Sequence, residues 1–310
     1  MKLNFSKIKV LLIGDFMVDH FIMGFSKRMS PEESTAPVVI EKLNYLTPGG
    51  AGNVALNLLS LGSKVDCVGI VGDDKNGKAL KSILKKAGAN INKLVSIKGY
   101  NTTTKKRIYS NGKQIVRIDY EENKKWNPND LKIDYNKYNV ILISDYNKGV
   151  VDNSWLMNLD KSKVLIDPKK KDINLYKNAN IITPNLNELQ DISGVKISNR
   201  KQIINICKGL IKKYNFNFII AKQGKKGITI IGKNNFSKHI NAINVNNPDV
   251  TGAGDTTIAA LTLHYTVTGN IMEAANFANI AAGLSVSKKG TSIITIKEIY
   301  NYIQKNEKNN

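Results

Sequence analysis

The run Asp249-Val250-Thr251-Gly252-Ala253-Gly254-Asp255-Thr256-Thr257 stands at the start of an apolar segment with helical spacing. Gly252 and Gly254 carry no Cβ, so a ligand can approach the backbone N–H groups of this turn closely. A helix that begins here adds unpaired N–H donors and a partial positive charge, which together favour an anion. Asp255 then stands where a carboxylate can accept the proton of an attacking hydroxyl group. On these residues alone, a glycine-rich turn with Asp255 as an ordinary helix cap remains an equal alternative.

A second polar segment is Thr183-Pro184-Asn185-Leu186-Asn187-Glu188, which follows a short apolar run. Asn185 and Glu188 lie three residues apart on the first turn of a predicted helix, so their side chains face the same way. Such a pair can hold a hydrated Mg²⁺ that bridges the phosphates of a nucleotide. The alternative is a simple helix start, with the proline near the first position and Glu188 completing a capping box.

The glycine-rich run from residue 48 to residue 55, Pro-Gly-Gly-Ala-Gly-Asn-Val-Ala, imitates a dinucleotide-binding fingerprint. It follows Thr47-Pro48 rather than an apolar strand, so dinucleotide binding is not expected. Instead, Gly49 and Gly50 allow close approach of a polyhydroxylated ligand, and Asn53 can bond its hydroxyl groups. Asp15 and Asp19 follow the first predicted strand and supply carboxylates at the sheet edge where ligands bind, unless they only cap loops. The chain has no G-x-x-x-x-G-K-[ST] sequence, which excludes a P-loop kinase.

Short apolar runs alternate with helical segments along most of the chain, and this pattern predicts an α/β fold: a mostly parallel sheet flanked by helices. Two β-rich stretches, at about 16–46 and 98–122, interrupt the alternation and predict a small β-sheet lid. They contain the predicted strands 37–40, 106–109 and 114–120, and Asn111-Gly112 is a strong hairpin signal between the last two. The predicted strands of the main sheet are residues 10–14, 65–71, 140–143, 164–166, 181–182 and 218–221, and the predicted helices are 53–61, 79–87, 258–267, 271–286 and one from 295.

Composition narrows the class of protein further. The formal net charge is +21, but lysine is scattered among asparagine over the whole 310 residues, without the aromatic interleaving of a nucleic-acid interface. No apolar run approaches the roughly 20 residues needed to cross a bilayer. The two cysteines, Cys67 and Cys207, each lie in an apolar stretch, as expected for unpaired thiols in the cytoplasm. We therefore expect neither a nucleic-acid nor a membrane partner.

The glycine run and the 249–257 segment resemble the two signature regions of the PfkB carbohydrate kinases, and 185–188 resembles their N-x-x-E motif. Within this family the resemblance is closest to the D-glycero-β-D-manno-heptose 7-phosphate kinases, which stand alone or form half of a bifunctional kinase–adenylyltransferase. The similar stretches are residues 14–19, 28–32, 48–57, 69–74, 144–149, 167–169, 183–188, 249–257 and 288–291.

The resemblance implies one ribokinase-like domain over residues 1–310, a homodimer through the lid, and Mg²⁺-ATP as phosphoryl donor. It implies Asp255 as the base and Gly252, Ala253 and Gly254 as the anion hole. It also allows a monovalent cation near Asp249. The implied nucleotide-site residues are Asn185, Leu186, Asn187, Glu188 (also a Mg²⁺ ligand, through water), Gly224, Gly227, Asn279 and Ser285.

A sugar phosphate as acceptor needs fixed cations, and arginine is the best bidentate partner for its dianion. Arg28, Arg107 and Arg117 all lie in the predicted lid, and Lys105 and Lys148 lie in stretches that match the family. We expect these five residues on the substrate side; pairing within the lid or at the surface is the alternative.

The chain departs from the family pattern at two places. Asn147 stands where glycine or alanine is expected, and Lys222-Gln223 stands where Thr-Arg is commoner. Two rival functions therefore stay open: another PfkB kinase, for ribose, fructose or a nucleoside, and a catalytically silent protein that binds polyanions.

Overall fold

The computed structural model describes residues 3–126, 131–151, 159–288, 290 and 292–307. Lys289 and Thr291, which belong to one of the family-like stretches, lie outside the described residues. The strands are β1 (Lys9–Gly14), β2 (Phe16–Phe25), β3 (Ile40–Gly50), β4 (Lys64–Gly72), β5 (Asn90–Ile97), β6 (Thr104–Ser110), β7 (Lys113–Tyr120), β8 (Val140–Ser144), β9 (Val164–Asp167), β10 (Ile181–Ile182), β11 (Phe218–Lys222), β12 (Ile228–Gly232) and β13 (Ser237–Ile240).

The α-helices of the described residues follow the strands in the order expected for an α/β fold. They are α1 (Ala51–Ser60), α2 (Lys75–Lys86), α3 (Leu186–Ser193), α4 (Arg200–Tyr214), α5 (Ala253–Thr268), α6 (Ile271–Val286) and α7 (Ile296–Glu307). None of the helices in this part of the chain is long and apolar enough to cross a membrane.

The main sheet has nine strands in the order β13-β12-β11-β10-β9-β8-β1-β4-β5. The pairs from β11 to β5 are parallel, and β12 and β13 join antiparallel. Successive side chains of a strand point to opposite faces. In β1, Val10 and Leu12 accordingly enter one core cluster, and Leu11 and Ile13 enter the other. The predicted sheet with helices on both faces is confirmed.

A second sheet of four strands, in the order β3-β2-β6-β7, forms the predicted lid. A single residue, Asp15, separates β1 in the main sheet from β2 in the lid. The hairpin between β6 and β7 turns at Asn111 and Gly112, whose φ angles are 51° and 79°, as a type I′ turn requires.

The predicted lid strand at residues 37–40 is wrong. Pro37 makes only an isolated bridge to Met29, and β3 begins at Ile40 and continues to Gly50. This segment bonds to the loop before it instead: the Val38 N–H donates to Arg28 O at 3.0 Å, and the Ser30 N–H donates to Ala36 O at 2.7 Å. The longer β3 brings the glycine run, Gly49 and Gly50, into the lid sheet directly before α1.

Candidate active site

Polar side chains gather at the carboxyl edge of the main sheet, where parallel strands end together. Asp15 follows β1, Asp145 and Tyr146 follow β8, Asp167 ends β9, and Lys222 ends β11. The 249–255 turn and the start of α1 close over this edge. The structure thus brings residues from distant parts of the chain to one place.

The turn before α5 has the geometry of an anion hole. Gly252 is the N-cap residue with φ 77°, a left-handed conformation that glycine adopts without strain. The first N–H groups of a helix have no partner within it. The Ala253 N–H bonds weakly to Val250 O at 3.3 Å, and those of Gly254 and Asp255 have no partner in the part of the chain that the structure describes.

Gly254 lies next to a space that neighbouring atoms leave open. A Cβ built on this residue would meet nothing closer than Lys222 Nζ, at 3.5 Å, and Asp167 Oδ2, at 3.9 Å. Both distances are ordinary contacts, so neither backbone strain nor packing requires glycine here. The free space lies beside two unpaired N–H groups, which suits an anionic ligand.

Asp255 lies in the first turn of α5 and is 5% exposed. The amide of Asn53 donates to its Oδ2, and the hydroxyl of Tyr146 donates to its Oδ1, both at 2.7 Å. Burial raises the pKa of Asp255 to about 7, although the bonds from Tyr146 and Asn53 oppose the increase. A carboxylate with this pKa can accept and release a proton near neutral pH.

Asn53 is positioned by a second asparagine. It lies in the first turn of α1, and Asn57 Nδ2, one turn later, donates to its backbone oxygen at 3.0 Å. Asn57 Oδ1 accepts from the hydroxyl of Thr256, next to Asp255, at 3.1 Å. The glycine segment and the 249–257 segment, about 200 residues apart, are therefore joined directly.

Asp15 has a different environment from the one expected for a sugar ligand. Its carboxylate accepts the backbone N–H groups of Tyr146, Lys148 and Val150, at 2.7, 3.2 and 3.3 Å. Burial, followed by the charge of Asp145, raises the pKa of Asp15 to about 6, and the three amides oppose that increase. The geometry favours a positioning role, in which Asp15 holds the segment that carries Tyr146.

Asp19 lies on the lid strand β2, buried beside the glycine run. It forms an ion pair with Arg107 of β6, and both side chains are largely buried. In the lid sheet, Gly49 pairs with Met17 and Gly50 with Phe16. A Cβ on Gly49 would lie 2.7 Å from Asp19 Oδ2, so glycine is required for this carboxylate to stay in place.

The other candidate substrate cations are also paired with carboxylates or lie at the surface. Lys105 bonds to Asp119 at 3.2 Å and to Glu121 at 2.7 Å, and Lys148 bonds to Glu121 at 2.5 Å. These two lysines hold the pKa of Glu121 at about 2. Arg117 pairs with Asp119 at 2.9 Å and is half exposed, and Arg28 is exposed. An anionic substrate would have to compete with the carboxylates.

A cavity of about 700 Å³ adjoins the 249–255 turn on the side of β11 and α6. Gly224, Gly227 and Asn279 line it together with Asn185 and Gly254, as expected for a nucleotide site. The amide of Asn279 donates to Asn241 O at 2.9 Å, which fixes one wall.

The expected adenine contact by Ser285 is not supported. Ser285 is 2% exposed, is absent from the lining of the cavity, and donates to Ala282 O within α6 at 2.8 Å. It faces the core because one face of a buried helix must pack there.

Asn185 and Glu188 form a capping box at the start of α3. Asn185 Oδ1 accepts from the Glu188 N–H at 3.0 Å, and Glu188 Oε2 accepts from the Asn185 N–H at 2.7 Å. Glu188 Oε1 also accepts from Lys169 at 3.2 Å. Burial raises the pKa of Glu188, and Lys222 opposes the increase. Of the two residues between them, Leu186 packs against the core and Asn187 is exposed, so neither side chain faces the cavity.

The described residues contain no group of three or more His, Cys, Asp or Glu side chains that could hold a metal ion. This donor set still fits Mg²⁺, which keeps several waters and is usually bound by one or two carboxylates and the phosphates of a substrate. Glu188 and Asp167 are such carboxylates: Asp167 pairs with Lys222, and Glu188 bonds to the backbone of Asn185, and both partners line the cavity.

Three residues of the site were not predicted as site residues from the sequence: Tyr146, Asp167 and Lys222. Tyr146 and Asp167 lie in stretches that match the family; Tyr146 lies two residues after β8, and Asp167 ends β9. Lys222 interrupts the apolar run of β11, and a charged residue at the carboxyl end of a buried strand is a signal that could have found it.

The sequence model of the pfkB family carbohydrate kinases matches residues 8–298. A relative from Aliarcobacter butzleri (strain RM4018), named bifunctional protein HldE, is 36% identical over 317 residues; the match covers 98% of this chain and 66% of that protein.

Among solved structures, Arabidopsis thaliana ribokinase complexed with ribose and ATP is similar, with a TM-score of 0.77, 20% identity, and coverage of 95% of this chain and 97% of that one. Ribokinase from Cryptococcus neoformans var. grubii serotype A in complex with ADP has a TM-score of 0.74 and 19% identity, and the match covers 96% of this chain and 100% of the other. These similarities confirm a ribokinase-like fold.

Proposed function

The chain belongs to the pfkB family of carbohydrate kinases, and we propose that its acceptor is D-glycero-β-D-manno-heptose 7-phosphate. The reaction transfers the γ-phosphoryl group of ATP to the anomeric hydroxyl and gives the 1,7-bisphosphate, a precursor of ADP-heptose and the lipopolysaccharide core. The observation that carries this choice of sugar is the 36% identity, over 98% of the chain, to a protein named HldE. Such bifunctional proteins join a heptose kinase to an adenylyltransferase. Because the chain spans 66% of that relative's length, the proposal concerns the kinase reaction only.

Asp255 acts as the general base in this proposal. The bonds from Asn53 and Tyr146 fix both of its oxygens, so the carboxylate is oriented before the sugar arrives. The acceptor hydroxyl gives its proton to Asp255 as its oxygen attacks the γ-phosphorus. The free N–H groups of Gly254 and Asp255 stabilise the negative charge on the transferred group.

The nucleotide occupies the cavity between β11 and α6, with its phosphates toward the 249–255 turn. Gly224, Gly227 and Asn279 also line this cavity and would contact the nucleotide. Glu188 and Asn185 would hold a hydrated Mg²⁺ at the phosphates. When bound, this ion would neutralise charge on the β- and γ-phosphate oxygens.

A monovalent cation near Asp249 has weaker support. Asp249 Oδ1 accepts from the Thr251 N–H at 3.0 Å, and Oδ2 accepts from the Gly290 N–H at 2.8 Å. Both oxygens are thus already bonded, and no step of the mechanism requires a cation there.

On the substrate side, Asp19, Gly49, Gly50 and Asn53 would meet the sugar hydroxyls. Arg107 lies in the lid beside Asp19, and both side chains are largely buried. The 7-phosphate would replace Asp19 at Arg107, or Glu121 at Lys105 and Lys148. A dianion competes well for these groups because charge-assisted bonds to phosphate are strong.

A coupled ADP-release assay over a panel of acceptors tests the substrate. The panel contains heptose 7-phosphate, unphosphorylated heptose, ribose, fructose and adenosine, each with Mg²⁺-ATP. We expect the highest kcat/KM for the heptose 7-phosphate. Higher kcat/KM for one of the other acceptors would reject the heptose proposal and leave the sugar-kinase assignment intact.

We also propose that residues 1–310 form one cytoplasmic kinase domain that dimerises through the lid. Many of the exposed large apolar side chains in the described residues lie in the lid: Met29, Ile40, Leu43, Tyr45, Ile115, Val116, Ile118 and Tyr120. An apolar surface of this kind is typical of an interface. Sedimentation should show a dimer that Leu43→Glu dissociates, whereas Val195→Glu, outside the lid, leaves it unchanged; a monomeric wild type would reject the proposal.

A further inference from the structure

Lys222 is the one lysine of the described residues that ends a strand of the main sheet at the carboxyl edge facing the 249–255 turn. Its ammonium group lies 3.5 Å from the position that a Cβ on Gly254 would take. It also lines the cavity together with Asn185, Ala253 and Gly254. We propose that Lys222 binds the transferred phosphoryl group directly. This inference rests on the proposed kinase reaction and adds a catalytic residue at a position where threonine is commoner in the family.

The first argument is that the ammonium group has more hydrogen-bond donors than the surrounding described residues have acceptors for it. A lysine ammonium carries three N–H donors. Asp167 Oδ1 takes one, at 2.5 Å, and no other acceptor of the ammonium group is found in the described residues. The side chain is only 13% exposed, so water has limited access to the remaining two. A ligand oxygen in the space beside Gly254 would satisfy them.

The second argument is the density of charge around this lysine. The carboxylate of Asp167 forms an ion pair with the ammonium group, and both side chains are largely buried. The N–H groups of Gly254 and Asp255, beside the same space, have no partner in the described part of the chain. The ammonium group therefore lies close to the Asp167 carboxylate and to the space beside the two unpaired N–H groups, where an anion would bind.

The third argument is what the cation does during the reaction. The acceptor oxygen forms a bond to the γ-phosphorus while its proton passes to Asp255. The bond from the γ-phosphorus to the bridging oxygen breaks, and its electron pair stays on ADP. Lys222 transfers no proton; it keeps its contact with the oxygens of the phosphoryl group as their charge is redistributed.

The test compares two nucleotides that differ at the γ-phosphate. The binding of Mg²⁺-AMP-PNP and of Mg²⁺-ADP is measured by calorimetry for the wild type, Lys222→Met, Lys222→Thr and Lys222→Arg. We expect the first two variants to bind AMP-PNP about 10- to 100-fold more weakly, with less than about a threefold change for ADP. Lys222→Arg keeps the charge and should retain most of the difference between the nucleotides. In parallel, kcat should fall with little change in the KM for the sugar.

The matched control is Lys212→Met, an exposed lysine in the last turn of α4, which should bind both nucleotides like the wild type. Equal losses for AMP-PNP and ADP, or no loss, would assign Lys222 only the structural ion pair with Asp167 and overturn the proposal.

Thermal unfolding of each variant is measured beside the calorimetry, so that a loss of fold is separated from a loss of the contact. A Lys222 variant that unfolds like the wild type and shows no selective loss of AMP-PNP affinity would contradict a contact with the γ-phosphate. If wild-type protein transfers no phosphoryl group to any acceptor, the proposed function fails. If the wild type is active and the Lys222 variants bind both nucleotides like the wild type, this inference is rejected and the proposed function stands.

Discussion

The hydroxyl of Tyr146 lies 2.7 Å from Oδ1 of Asp255. Tyr146 follows β8, and Asp255 lies in the first turn of α5. Burial, followed by the charge of Asp255, raises the pKa of Tyr146 well above its usual value. The phenol therefore remains protonated near neutral pH and donates to the carboxylate. This bond lowers the pKa of Asp255, so Tyr146 helps to set the pH at which the proposed base loses its proton.

Tyr146→Phe should shift the pH dependence of the reaction. Loss of the hydrogen bond raises the pKa of Asp255 further above about 7. A base must be deprotonated to act, so activity falls as pH decreases through this pKa, and the fall should begin at a higher pH in the variant. The measurement is kcat/KM between about pH 5.5 and about pH 9. Tyr265→Phe, in the last turn of the same helix, should leave the profile in place; an unshifted profile for Tyr146→Phe would contradict the role.

Asp255→Asn should remove phosphoryl transfer and retain nucleotide binding. Loss of a general base costs about 10²–10⁴ in rate, whereas the N–H groups of the anion hole are backbone atoms and remain. Turnover is measured by ADP release, and AMP-PNP affinity by calorimetry. Asp191→Asn, an exposed acid on α3, serves as the control. Turnover above about a tenth of the wild-type value would show that another group takes the proton.

Gly254→Ala should separate folding from function. The added methyl group meets no atom closer than 3.5 Å, and alanine is favoured in helices by roughly 0.5–1 kcal/mol, so unfolding should need the same or more free energy. The methyl group fills the space next to the anion hole, and kcat/KM for ATP should fall by about tenfold or more. Gly209→Ala in α4, which also meets no obstruction, should change stability in the same direction and leave activity intact. Full activity of Gly254→Ala would place the phosphates elsewhere.

Glu188→Gln should raise the Mg²⁺ concentration needed for half-maximal rate by several-fold, with the KM for the sugar unchanged, because only the metal side is altered. Glu298→Gln is a closely matched control: Glu298 accepts from the Thr295 N–H at 2.9 Å and from Lys288 at 2.6 Å, as Glu188 accepts from Asn185 and Lys169. If sugar binding weakens instead and Mg²⁺ dependence stays the same, Glu188 belongs to the acceptor side.

Arg107→Ala should weaken binding of the sugar phosphate by about tenfold or more, because a charge-assisted bond is lost. The unphosphorylated sugar should lose much less, so the ratio of the two KM values is the decisive quantity. Arg200→Ala, at the start of α4 and outside the lid, is the control. An equal loss for both sugars would mean that Arg107 acts through Asp19 and not on the phosphate.

The fold could be predicted because its signals are local. The apolar run of β1, the turn residues Asn111-Gly112 and the helical spacing after Asp255 each depend on neighbours within a few residues. Ligands of parallel sheets bind where the strands end, and this rule predicted that Asp15 and Asp19 lie near the site. It could not tell that Asp15 would bond three amides, since that depends on the path of residues 146–150 after β8.

The predictions that failed, and the residues that were missed, depend on contacts between distant parts of the chain. The capping box of Asn185 and Glu188 was foreseen from spacing, but whether Leu186 and Ser285 face the cavity or the core depends on how α3 and α6 rotate against the sheet. Lys222 was noticed only as a departure from a family pattern. Its partner, Asp167, is 55 residues away in sequence and adjacent only after β9, β10 and β11 align.

The space beside Gly254 has a consequence for relatives of this chain. Folding alone would accept alanine at this position, because its methyl group would make only ordinary contacts. A glycine that neither strain nor packing requires is therefore expected where a ligand uses the space beside it. Relatives that carry alanine here would be the first to assay for loss of the proposed kinase reaction.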